Sequence, residues 1–301
     1  IEAENLINET LTADAVATTR SGQNVRFQTA GPTATIEGGS VSLNISSTED
    51  GQGNLVNRGA AIRSTEGNVE IETSGDVINE ALVVEQISDV QTDAVSAFFG
   101  QQDYARRSEF VGATIESAGD INIDAEGRVQ NIASDIVGEG NVVVDGRLGV
   151  EQTNLAEVYD TSAGLGYREQ AVENRSASIG GGNVTIRSDE GDIVSIGSDI
   201  SANEDVVLET IDGDIRLLAD VQITESESLS FDGGGIAYSR EQSANFIGSN
   251  VSGENITLRS GGDVVGRGAQ ITADNDVNLE AENLDFRAAE AEVESFSFGL
   301  G

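Results

Sequence analysis

The chain has 301 residues and a formal net charge of −37, with 53 acidic side chains against 16 basic ones, no Cys, His, Met or Trp and a single Pro. Every cation is arginine, so Schiff-base lysines, catalytic histidines, thiolate nucleophiles and Cys/His zinc sites are excluded within it. The negative field opposes approach to phosphate backbones, and no nucleic acid is expected as a partner. Aromatics at 4% demand a thin aliphatic core built from Val, Ile, Leu and Ala. No run of 18 apolar residues occurs, and Ile1 to Arg20 has neither a basic n-region nor an apolar centre, so the chain reads as an excised segment.

One unit recurs along the chain: an apolar residue, a few small or polar residues, then Asn, Asp or Ser and an alternating apolar pair. In order, the copies are Ile36 to Val41-Ser42-Leu43, Ile62 to Val69-Glu70-Ile71, Ile115 to Ile121-Asn122-Ile123 and Ile136 to Val142-Val143-Val144. Ile179 to Val184-Thr185-Ile186, Ile200 to Val206-Val207-Leu208, Val251 to Ile256-Thr257-Leu258 and Ile271 to Val277-Asn278-Leu279 complete eight copies in four pairs, stepped by about 21 residues within a pair. A Gly-Asp step between copies starts a further short strand, as at Ile193 and Val264. Alternation over three to five residues, with Gly, Asn and Asp at each break, predicts strand and turn throughout. No such strand can bury its apolar face alone, so the coils must stack. The expected fold is all-β: a right-handed parallel β-helix of about ten coils with β-hairpin excursions. Ile121, Val142, Ile186, Val206, Leu208, Ile256, Val277 and Leu279 are expected inside it.

The excursions recur on a longer period of about 66–70 residues, centred near Phe98-Phe99-Gly100, Leu165, Asp232 to Ile236, and Phe296 to Gly301. In the clearest, Leu229 and Phe231 alternate with serines, a glycine turn follows, and Ile236 and Tyr238 alternate with Ala237 and Ser239. Nearly all aromatics fall in or beside these hairpins, and Phe27 is expected to belong to an earlier one cut short at the start. The chain is thus one continuous solenoid over residues 1–301, with blocks at 33–110, 111–178, 179–246 and 247–301, each closing in a hairpin.

The phrases Gly197-Ser198-Asp199-Ile200-Ser201-Ala202-Asn203-Glu204-Asp205-Val206-Val207-Leu208 and Gly213-Asp214-Ile215-Arg216-Leu217, closed by a Ser/Gly/aromatic hairpin, resemble the haemagglutinin repeats of filamentous-haemagglutinin-type exoproteins. The resemblance is closest to the downstream repeats of two-partner-secretion proteins that include contact-dependent growth inhibition effectors. It implies a secreted filament at the bacterial cell surface, an outer-membrane two-partner-secretion transporter as partner of the full-length protein, and a role in carrying a toxin across a target cell's outer membrane. An adhesin stalk that binds host or surface ligands is the alternative it implies. Glu, Asp or Asn stand here where Gly, Ser and Lys are common in such repeats.

No catalytic residue, metal or cofactor is expected. Asp189, Glu190 and Asp192, or Asp274 and Asp276, are the candidate Ca²⁺ clusters, but they lack the uninterrupted Gly-Gly-x-Gly-x-Asp succession and read as turn chemistry, with Asn68, Asn141, Asp205 and Asp276 equivalent in a capping ladder. A polysaccharide-cleaving β-helix would need a carboxylate pair walled by aromatics, with Tyr159, Tyr167 and Tyr238 as candidates. The candidate contact residues for a partner, receptor or target membrane are Phe98, Phe99, Leu165, Tyr167, Phe231, Ile236, Tyr238, Phe296 and Phe298. Either the hairpins fold against the stem and bury their apolar side, or they associate with one another or with a membrane. Glu225 and Glu227 on the face of Leu229 prevent one hairpin from spanning a bilayer by itself.

Overall fold

A computed structural model describes the chain apart from residues 19–23, 48–52, 90–103, 163–166, 233–234 and 301. Among the described residues there is no helix, and the strands form three parallel sheets wound around one apolar core. The chain visits the three faces in rotation. In one coil Val41–Ile45 lies on the first face, Leu55–Arg58 on the second and Ala61–Ser64 on the third. The first and second faces each hold nine strands, ending at Val277–Glu280 and Leu284–Arg287, and the third holds eight. Among the described residues the stem therefore has nine coils, close to the ten expected, and the hairpins take up much of the remaining chain: Asp220–Asp232 and Gly235–Ile247 are 13 residues each. At about 4.8 Å per rung it is about 40 Å long.

Register explains why this sequence closes into a tube. Like residues stack on like: Val69, Ile121, Val142, Val184, Val206 and Ile256 are successive partners on the first face. Ile62, Ile115, Ile136, Ile179 and Ile200 do the same on the third. All of these are fully buried, and each rung contributes one side chain per column, so a narrow core is filled by β-branched residues of nearly constant volume. Ile186 and Leu208 are buried as expected; Val277 is 45% exposed and Leu279 half-buried. They belong to the last strand of their sheet among the described residues, which has a neighbour on one side only.

The polar positions are as regular. At the corner before the first face, side-chain oxygens cap the backbone N–H one coil on: Asp120 N donates to Asn68 Oδ1 at 2.9 Å, Asn141 N to Asp120 Oδ1 at 2.7 Å, and Asp205 N to Asn183 Oδ1 at 3.0 Å. Asp192 serves the next corner, accepting from Asp214 N at 2.9 Å, and Glu190 pairs with Arg147 at 2.7 Å. Several arginines bridge acids across rungs. Arg58 joins Glu9 to Glu80, and Arg259 joins Glu209 to Glu280, each guanidinium having a carboxylate in register above and below it. The forked guanidinium, with five donors in a plane, suits a site that has one carboxylate above it and one below.

The longer period is written at one corner. Every second coil turns from the second face to the third through a left-handed residue: Gly59 (φ 53°), Ala133 (φ 48°), Gly197 (φ 54°) and Gly268 (φ 63°). In the alternate coils the same corner opens into a hairpin: Thr12–Thr18 with Asn24–Ala30, Leu82–Asp89 with Tyr104–Val111, Leu155–Ser162 with Arg168–Arg175, and Asp220–Asp232 with Gly235–Ile247. The first of these holds Phe27 and is a two-stranded hairpin in its own right, not a remnant.

Candidate contact surface on the hairpin sheet

Hairpins that leave one corner every second coil are about two strand spacings apart, the width of one hairpin. They therefore abut. The strands from Leu82 onward form one seven-stranded antiparallel sheet alongside the stem, closed at its far edge by Ser295–Leu300. Neighbouring hairpins join through Tyr104↔Ser162 and Ala105↔Thr161, then through Arg168↔Glu227 and Glu169↔Ser226, all away from the stem. At the base the links are polar. Asn154 Nδ2 donates to Asn174 Oδ1 at 2.7 Å and to Asp220 Oδ2 at 2.9 Å, while Arg175 donates from Nε to the Ala133 carbonyl at 2.7 Å and pairs with Asp135 at 2.9 Å.

The outermost hairpin and its edge strand present two unlike faces, since alternate side chains of a strand point to opposite sides. One side is small and hydroxylic: Ser228, Ser239 and Ser297 are in register, as are Ser226, Glu241 and Ser295, with Ser228 Oγ 2.7 Å from Ser239 Oγ. The other carries Leu229, Tyr238 and Phe298 in one row and Glu227, Arg240 and Phe296 in the next. Ring centroids of Tyr238 and Phe298, and of Phe298 and Phe296, are each 6.2 Å apart in tilted pairs. Tyr238 donates its hydroxyl to Glu227 at 3.0 Å, and Arg240 pairs with Glu225 at 2.5 Å. Desolvation and the Glu227 bond raise the Tyr238 hydroxyl above the usual tyrosine pKa, while the Arg240 hydrogen bond lowers the Glu225 carboxyl.

Of the expected contact residues, Phe98, Phe99 and Leu165 lie outside the described residues. Phe231 and Ile236 are backbone register partners within the outermost hairpin, and the Phe231 side chain lies outside the described residues. Ile236, Phe296 and Phe298 are 42%, 59% and 46% exposed, and Tyr238 is half-buried. Tyr167 is 43% exposed and its hydroxyl bonds Glu169, which raises its pKa; it is on another hairpin from Tyr238. The structure thus gathers Tyr238, Phe296 and Phe298 and leaves them accessible. One aromatic outside the hairpins is also placed: the ring of Phe286 takes the space that a side chain at Gly266 would fill, 2.3 Å from an ideal Cβ there.

The fold is thus a three-faced parallel β-helix that carries a lateral sheet of hairpins. Residues 166–237 and 229–297 each match the family model of the hemagglutinin repeat. The first stretch spans two coils of the stem between the second strands of two successive hairpins, and the matches support a filamentous-haemagglutinin-type repeat over the downstream part of the chain, less than half of its length. No curated protein and no solved structure matches the chain.

Proposed function

We propose that the chain is a non-catalytic repeat segment of a secreted bacterial cell-surface filament, in which the stem is a spacer and the hairpin sheet a contact surface that serves toxin delivery across a target cell's outer membrane. The observation that carries this reading is the alignment of hairpins from alternate coils into one sheet whose aromatic side stays accessible. A catalytic groove needs converging acid and base groups. Here the carboxylates are spread along the rungs, and several of them cap turns or pair with arginine. A full-length protein with this segment would reach its surface through an outer-membrane two-partner-secretion transporter.

The test replaces Phe296 and Phe298 together by Ser in the full-length protein. Secretion and stem folding are expected to persist, since both rings are about half exposed, while target-cell intoxication falls at least tenfold. Loss of attachment to target cells with no toxin-dependent phenotype in the parent protein assigns the segment to an adhesin stalk instead. Unchanged attachment and unchanged intoxication refute the contact role.

A further inference from the structure

The corner between the first and second faces carries its own ladder of caps. Asn54 N donates to Asn5 Oδ1 at 3.0 Å, Asp76 N to Asn54 Oδ1 at 2.7 Å and Arg128 N to Asp76 Oδ1 at 2.8 Å. It resumes with Asp214 N on Asp192 Oδ1 and Asp263 N on Asp214 Oδ1, both at 2.9 Å. Between Arg128 and Asp192 it is broken. Arg128 has no side-chain oxygen to offer, so Gly149 N turns back to the Gly146 carbonyl at 2.9 Å, and Asp192 N has no acceptor among the described residues. Gly149 has φ 131°, and a Cβ there would lie 3.0 Å from the Asp192 carbonyl oxygen, so this corner rejects a capping side chain. The corner also changes length at this place: Ala125 to Val129 and Gly146 to Val150 are steps of four residues, Ser188 to Ile193 and Thr210 to Ile215 steps of five. A cleft of about 400 Å³ lies there, taking in Arg128, Leu148, Gly149, Glu151, Asp192 and Val194.

Arg128 is exposed, and among the described residues its guanidinium makes no ion pair, whereas the nearby Arg147 and Arg216 are paired with Glu190 at 2.7 Å and Asp192 at 3.4 Å. We infer that this cleft binds a sugar acid, whose carboxylate supplies the missing cap oxygen and accepts from the Asp192 N–H and the Arg128 guanidinium together. Intact rungs of this corner offer the same N–H a carboxylate or carboxamide oxygen, and a guanidinium fork matches a carboxylate's two oxygens. The cleft is larger than a carboxylate alone would fill. Glu151 and Glu190 keep lone pairs free to accept from sugar hydroxyls, and Leu148 and Val194 give an apolar wall for the C–H groups of a ring. Those two acids also disfavour a dianion such as phosphate. The site is on the stem, at a different corner from the hairpins, so it is independent of the contact role of the hairpin sheet.

Titrating the isotope-labelled chain with glucuronate, and following its backbone amide resonances, tests this. The Asp192 amide should shift saturably, while those of Asp214 and Asp263, already capped, should not. Acetate should bind at the same amide at least tenfold more weakly, and glucose and inorganic phosphate should leave it unmoved. Arg128→Gln should keep the parent's circular dichroism spectrum, since the side chain is exposed and unpaired, and should weaken glucuronate at least tenfold. Arg128→Lys, which keeps the charge but loses the fork, should recover only part of the affinity. An Asp192 amide that does not respond to glucuronate overturns the inference. So does acetate, glucose or phosphate binding as tightly as glucuronate, or a response that Arg128→Gln and Arg128→Lys leave unchanged.

Discussion

Asn79 donates its side-chain Nδ2 to Asn131 Oδ1 at 2.8 Å, across 52 residues of sequence but a single rung of the stem. The bond is one step of a buried column in which Asn8 donates to Asn57 at 2.8 Å and Asn57 to Asn79 at 2.7 Å, with Asn57, Asn79 and Asn131 fully buried on the second face. Each amide also donates to a backbone carbonyl of the third face: Asn79 to Asp135 at 3.2 Å, and Asn131 to Ser178 at 3.0 Å. The column therefore ties the second and third faces together across the corner from which the hairpins leave.

Asn79→Ala should cost about 1–3 kcal/mol, since it strands a buried oxygen on Asn131, while the Asn57 amide keeps the Ala60 and Thr114 carbonyls as acceptors. The shift in denaturant midpoint at constant slope measures it. A change below about 0.5 kcal/mol would mean that the column is not closed to solvent.

Gly197→Ala should destabilise by about 1–3 kcal/mol. An L side chain pays about 1–2 kcal/mol in the left-handed region, and the new Cβ would sit 2.8 Å from Asn154 Cγ at the base of a hairpin. Ala133 already tolerates the left-handed backbone, so the contact with Asn154 is what separates the two corners. Gly197→Ala should accordingly increase proteolytic cleavage within Leu155–Arg175, relative to the parent chain, before the stem unfolds.

Acidification should stiffen one part of the stem. Glu72, Asp124 and Asp145 are stacked in register, and the Asp145 carboxyl is pushed above its ordinary value of 3.8, first by desolvation, then by Asp124 and Asp189, with Arg187 opposing. A carboxyl that holds its proton more tightly in the folded chain binds more protons there than when unfolded, so stability rises as pH falls through the folded pKa towards 3.8. Asp214 has a lowered pKa, through the Asp263 backbone hydrogen bond and Arg216, and acts in the opposite sense, its contribution being lost as pH falls through its folded pKa below 3.8. Asp145→Asn should raise the melting temperature at pH 7 and reduce the gain in stability as pH falls towards 3.8. Equal pH dependence in parent and variant would contradict this.

Val206→Asp should unfold several coils together. Val206 lies between Val184 and Ile256 in register and is fully buried, so an unpaired charge there breaks two interfaces at a cost of several kcal/mol. The expected result is early loss of the coils on both sides of Val206 in thermal unfolding, whereas independent coils would leave the neighbours' melting unchanged.

Much of this fold is legible in the sequence because a stacked coil allows one type of residue per column. Ile115, Ile136, Ile179 and Ile200 repeat because they are neighbours in space, and the aromatics gather in the hairpins because a tube of β-branched residues leaves little room for rings. The asparagine column is harder to see. Val77-Ile78-Asn79-Glu80 reads as a strand running out into a polar turn, and only comparison with Leu6-Ile7-Asn8-Glu9 and Leu55-Val56-Asn57-Arg58 exposes Asn at a fixed inward place. Val277 keeps the pattern of its column but not its burial, because burial depends on a neighbour on each side. The pairing of hairpins with one another depends on the equality of hairpin width and two-coil rise, which no local pattern encodes.

The alignment of the hairpins into one sheet is tested most directly by a double cysteine at Arg168 and Glu227, which are register partners on different hairpins 59 residues apart in sequence. In this cysteine-free chain, mild oxidation should close one intramolecular disulfide nearly quantitatively, detected as a mobility shift that reduction reverses and concentration does not affect. Free thiols at both positions after oxidation would place the hairpins apart and contradict the account.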